Sequence, residues 1–118
     1  MSVYDRAHEL ARMLRDTEEY REYRRACEAI SGEGTARLIL RDYRKNQIEV
    51  QAAGLAGRKP SESALAELRR LTEIVEMHKP IMDFLKAESR LLTLIADIQK
   101  ILGDALDLWE HAEETAEK

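Results

Sequence analysis

Apolar residues along the chain recur at steps of three and four, without sustained alternation. That period is the mark of helices that bury one stripe. Val3, Ala7, Leu10, Ala11 and Leu14 fall on one face of a first helix predicted from about Ser2 to Arg15. Asp16 followed by Glu19 reads as a capping box opening a second helix, each side chain accepting from a backbone N–H that a helix start leaves free. The stripe of that helix is Tyr20, Tyr23, Cys27 and Ile30, and Ser31-Gly32-Glu33-Gly34 is expected to stop it, because Gly tolerates the left-handed closing conformation. A third helix is predicted from about Thr35 to Ala53, with Leu40 and Tyr43 facing the core. Gly54 to Ser61 reads as a loop, after which Ser61 or Ser63 caps a fourth helix carrying Ala64, Leu68, Leu71 and Val75. His78-Lys79-Pro80 breaks the chain again. Pro80 suits the first turn of a helix, where its missing N–H costs nothing. From Ile81 to about Glu113 only Gly103 interrupts the pattern, giving a last helix of about 45–50 Å.

The last helix carries more apolar surface than one neighbour can cover. On a wheel of about 100° per residue, Leu91, Leu92, Leu94, Ile95, Ile98, Ile101, Leu102, Ala105, Leu106, Leu108 and Trp109 fill roughly 200° of arc. One packed helix uses about half of that. The excess predicts two contacts, one with the shorter helices and one most simply with the same helix of a second subunit about a two-fold axis. Gly103, on the rim of the stripe, would let another backbone approach. Glu88 and Gln99 sit inside the arc, so Glu88 is expected to meet an Arg or Lys from another helix and Gln99 to pair with backbone or a symmetry mate and fix register. The candidate interface is therefore Glu88, Leu91, Leu92, Ile95, Ile98, Gln99, Leu102, Leu106 and Trp109. The fold class is all-α, about five helices, with this long C-terminal helix forming a homo-oligomer interface, a dimer being the simplest form.

Composition narrows the picture. With 118 residues, 44% hydrophobic and 36% charged, the chain has enough apolar content to fold as one domain, and disorder is not indicated. The acidic end, about residues 112–118, is expected to fray. No stretch approaches the roughly 20 apolar residues of a membrane span, and MSVYDRAHEL lacks the apolar core of a signal peptide, so a cytoplasmic protein without membrane insertion is expected. The net charge of −4 hides an asymmetry: residues 31–60 hold six Lys/Arg against three Asp/Glu, whereas residues 91–118 hold two against seven.

Arg37, Arg41, Arg44 and Lys45 stack along one side of the third helix at three- and four-residue steps. Such a strip can track phosphates, dock on the acidic tail Asp104, Asp107, Glu110, Glu113 and Glu114, or meet an acidic patch on a protein partner. The pI near 5.5 and the lack of interleaved exposed aromatics argue against direct RNA contact, which stands as the alternative function.

Chemistry is harder to find. The three histidines, His8, His78 and His111, lie on or beside different predicted helices, and none opens a metal-ligand spacing. Asp107 and His111 share a face as an ordinary surface pair. Gly54 to Ser61 has the wrong glycine spacing for a phosphate loop, with Pro60 where Ser or Thr should stand. The single Cys27 has no base predicted beside it and reads as a buried apolar residue. No catalytic, metal or cofactor site is predicted. The chain is read as an interaction protein, not an enzyme.

Two blocks, VYDRAHELARMLRDTEEYREYRRA and MDFLKAESRLLTLIADIQKILGDAL, resemble the YlbF/YmcA family of small bacterial regulators, with Gln47-Ile48-Glu49-Val50-Gln51 also fitting. The resemblance covers residues 3 to about 106. It implies an all-helical, self-associating adaptor, partnered by itself, by paralogous family members and by the membrane-bound endoribonuclease RNase Y, and so acting on RNA processing, competence and biofilm development. Some members work in a complex with iron–sulfur clusters and carry cysteines near the C-terminus; here the end reads EHAEETAEK, so no cluster is expected. Glu88, Asp97 and Gln99 carry over only as interface positions.

Overall fold

The computed structural model describes residues 2–108 as five helices in chain order: α1 (Val3–Arg15), α2 (Glu18–Ser31), α3 (Gly34–Leu55), α4 (Glu62–Met77) and α5 (Lys79–Ala105). Most boundaries follow the hydrophobic pattern, and the exceptions have identifiable local causes. The capping box belongs to α1, where Ser2 Oγ accepts from Asp5 N at 3.1 Å and Ser2 N donates to Asp5 at 3.0 Å. At the start of α2 the expected Asp16–Glu19 box is replaced by Thr17, whose Oγ1 accepts from Tyr20 N at 3.2 Å. A hydroxyl one residue later does the same work. Gly32 ends α2 in a right-handed conformation, φ −79°, and Gly34 already belongs to α3, so the left-handed stop expected there is absent.

A left-handed stop occurs instead at the other end of α3, which runs two residues past its predicted end. Gly57 has φ +72°, its N–H donates to Gly54 O at 3.1 Å, and Arg58 N donates to Ala53 O at 2.8 Å. This crossed pair of bonds is the Schellman closure, which carries α3 through Leu55. Ser61, not Ser63, caps α4, accepting from Ala64 N at 3.0 Å. α5 is shorter than predicted, 27 residues or about 40 Å, because Leu106 caps it and Asp107 turns left-handed at φ 55°. Asp is among the few residues that accept this turn. Leu106 and Leu108 therefore lie beyond the helix and do not extend its stripe. Trp109, Glu110, His111, Glu113 and Glu114 lie outside the described residues.

The helices form two antiparallel pairs that share one hub. Ile30 meets Ile81 and Tyr23 meets Phe84, which runs α2 against α5; Ala36 lies with Val75 and Asn46 with Ala64, which runs α3 against α4. The end of α2, the start of α3, the end of α4 and the start of α5 thus converge on Ile30, Ala36, Val75, Ile81 and Phe84. The two turns are tied by His78 Nε2 and Glu33 Oε1, 3.1 Å apart. Asn46 is buried and donates to Ala64 O at 3.3 Å, a polar link between α3 and α4.

The molecule measures 49 × 42 × 16 Å with a radius of gyration of 18.8 Å, where a compact chain of this length would have about 13 Å. A thickness of 16 Å has room for no more than two packed helices, so the chain is flat and extended and the helices keep much of their surface open to solvent. Its accessible surface of 9400 Å² exceeds by on the order of 3,000 Å² that of a compact chain of equal mass.

Candidate interaction surface

The N-terminal half of α5 is the covered half. Ile81, Phe84 and Ala87 are buried against the hub and α2. α2 has only 14 residues, about 21 Å, so it runs out while α5 continues. Beyond that point Leu91, Leu94, Ile95 and Ile98 are half-buried, and Leu92, Ile101, Leu102 and Leu106 are exposed, Ile101 by 66% and Leu102 by 56%. Gln99 is exposed, and among the described residues no hydrogen bond joins its side chain to another helix. Gly103 is buried and does not present an open backbone on the rim of the stripe.

Glu88 stands at the border between the covered and uncovered halves. It accepts an ion-pair hydrogen bond from Arg44 on α3. The Arg44 guanidinium lies 5.3 Å from the centre of the Phe84 ring, and that ring lies 5.6 Å from the ring of Tyr23 on α2. Cation, aromatic face and carboxylate thus form one column joining α2, α5 and α3. The Tyr23 phenol is held above its ordinary pKa first by its hydrogen bond with Cys27, then by burial and by the neighbouring Cys27 and Glu88 side chains, with Arg44 opposing.

The basic strip on α3 is not continuous. Arg37, Arg41 and Lys45 are exposed, but Arg44 turns inward to Glu88, and Arg41 pairs with Asp42 at 3.1 Å. Asp104, one residue of the acidic end, pairs with Lys100 on its own helix at 3.4 Å. An inward arginine was not separable from its solvated neighbours on the wheel, since Arg44 follows the core-facing Tyr43.

Sequence periodicity also left α1 unassigned to a neighbour. None of its residues is buried, and among the described residues α2 is the one helix it touches. Its amphipathic pattern was visible; that the chain itself leaves the face open was not.

Among the described residues no group of three or more His, Cys, Asp or Glu side chains could hold a metal ion. A cluster needs several thiolate or imidazole ligands, and Cys27, the one cysteine, is half-buried beside Tyr23, so these residues do not fit an iron–sulfur site held by this chain alone. Among the described residues no helix is long and apolar enough to cross a membrane.

The described residues define an all-helical, flat protein with an apolar stripe exposed on the second half of α5. The family model described as "Control of competence regulator ComK, YlbF/YmcA" matches residues 3–107, and the chain belongs to that family. A UPF0342 protein of Symbiobacterium thermophilum is 39% identical over 106 residues, covering 90% of this chain and 95% of that one. A UPF0342 protein of Clostridium tetani is 36% identical over 108 residues, covering 92% and 93%. Among solved structures, a protein of unknown function (DUF964) from Bacillus stearothermophilus has the same fold with a TM-score of 0.72 at 17% identity, covering 89% of this chain and 92% of that one. Bacillus subtilis RicA, solved in complex with RicF, matches with a TM-score of 0.61 at 18% identity, covering 89% and 93%.

Proposed function

We propose that this chain is a non-enzymatic adaptor of the bacterial cytoplasm that works by holding proteins together. It self-associates through the uncovered half of α5, joins paralogous family members, and acts with them on an RNase Y-type endoribonuclease, and so on RNA processing, competence and biofilm development. In this reading residues 1–118 are one domain with an acidic tail. The observation that carries it is the flat, extended shape with an apolar face left open on α5. The family's description as a control of ComK and the RicA–RicF complex of a structural relative support it.

Light scattering at several concentrations tests self-association. The wild-type chain is expected at the mass of a dimer or higher, and Leu102→Glu, which places a charge on the open stripe, at the mass of a monomer with helical content retained. Co-purification with a tagged paralogue and a tagged RNase Y-type endoribonuclease tests the partners; neither binding would sink the adaptor. A fluorescence titration with RNA separates the alternative. Binding that weakens steeply with salt and disappears on Arg41→Glu would replace the adaptor reading with direct RNA contact.

A further inference from the structure

The open half of α5 and the open face of α1 occur in the same chain yet do not meet within it. Among the described residues α1 and α5 make no contact, and α2 is the one helix that touches α1. Its apolar face carries Val3, exposed by 83%, Leu10, exposed by 36%, and the half-buried Leu14. A free amphipathic helix of this length is marginal in water, so the face needs a covering surface.

We propose that α1 of one chain packs onto the C-terminal half of α5 of a second copy, and that the second copy returns its own α1 in the same way. This rests on the self-association proposed above and specifies which elements meet. Three observations favour a second copy as the occupant. Lengths match: α1 has 13 residues, about 20 Å, and α5 from Leu94 to Ala105 spans about 17 Å. Charges complement: α1 carries Arg6, Arg12 and Arg15 against Asp5 and Glu9, whereas Leu94 to Leu108 carries Asp97, Asp104 and Asp107 against Lys100. Surface also suffices, because the excess accessible area, on the order of 3,000 Å² per chain, exceeds the roughly 800 Å² per partner of a standard interface. A reciprocal exchange covers both arms and both overhangs at once and leaves no open end, as closed two-fold symmetry requires.

Cross-linking in full-length chains with Cys27→Ser tests the exchange. Single variants Ala7→Cys and Leu14→Cys are each mixed with Ile98→Cys and with Leu102→Cys, and treated with a short bismaleimide, while light scattering reports the mass. The exchange predicts covalent dimers in at least one α1–α5 mixture and none when any variant is treated alone. Dimers by light scattering with no cross-link in all four mixtures, or cross-links from any one variant treated alone, would overturn the exchange and leave self-association standing. A monomeric mass for the wild-type chain would overturn both. Circular dichroism of each variant confirms that the helices are intact before mixing.

Discussion

Arg44 and Glu88, 44 residues apart in sequence, close an ion pair between α3 and α5 across the face of Phe84. The side chains are 42% and 23% exposed, so water screens the pair and its coupling is modest. A double-mutant cycle with Arg44→Met and Glu88→Gln is expected to give a coupling of about 1 kcal/mol in urea unfolding, the range of a charge-assisted hydrogen bond partly open to solvent. Strict additivity of the two substitutions would show that the pair contributes nothing beyond packing.

Core and interface should respond differently to equal losses of apolar volume. Ile81 is fully buried at the hub, so Ile81→Ala is expected to cost about 2–4 kcal/mol and to lower the melting temperature regardless of protein concentration. Ile101 is largely exposed within the chain. Ile101→Ala should leave the unfolding of the separated chain within about 0.5 kcal/mol of wild type and instead raise the concentration at which the assembly dissociates. Sedimentation over a dilution series, with denaturant curves, distinguishes the two.

Gly57 holds the closing turn of α3 at φ +72°, and no atom lies within 4 Å of where a Cβ would sit. Strain alone should therefore set the effect of a side chain there. Gly57→Ala is expected to destabilise by about 1 kcal/mol, and Gly54→Ala, inside the helix with open space around it, to stabilise slightly. Thermal melts of the two variants that shift in the same direction would contradict this assignment of the turn.

The raised pKa of Tyr23 gives stability a definite dependence on alkaline pH. Its neutral phenol is favoured in the folded chain, so the contribution is complete below the ordinary tyrosine value of about 10 and is lost as pH rises through the higher folded value. Stability should fall above about pH 10, and Tyr23→Phe should flatten that part of the fall. Urea unfolding between pH 8 and pH 11.5, on the wild type and the variant, measures the difference; parallel curves would remove Tyr23 as the cause.

The stripes of α2 and α4 were legible because each has one principal neighbour, and a single period of 3.6 residues then names the inward residues: half-buried Tyr23 and Cys27 with buried Ile30, or buried Leu71 and Val75. Glu88 was legible as a carboxylate requiring a cation because it interrupts an apolar run. Which cation was not, since the choice of Arg44 over Arg41 depends on how the two helix pairs meet, and local periodicity does not contain that angle. Asn46 escaped notice for the same reason: its burial comes from the backbone of α4 passing close enough to accept a hydrogen bond from it. The end of α5 was misplaced because Asp107 is an unremarkable helix residue by pattern, and its left-handed turn is a decision of the backbone. The open face of α1 was visible as amphipathic, but a pattern shows that a helix wants a neighbour without showing which chain provides it.

The convergence of four helix ends on one hub gives the molecule a mechanical property. With α5 projecting about 40 Å from that point, a rotation of about 5° there carries its far end by about 3 Å, more than half the rise of one helical turn. The Arg44–Glu88 pair crosses between the arms only about ten residues out from the pivot on either side, close enough to restrain the angle and too close to fix the tips. A load on the exposed end of α5 would therefore act on a long lever over a short brace.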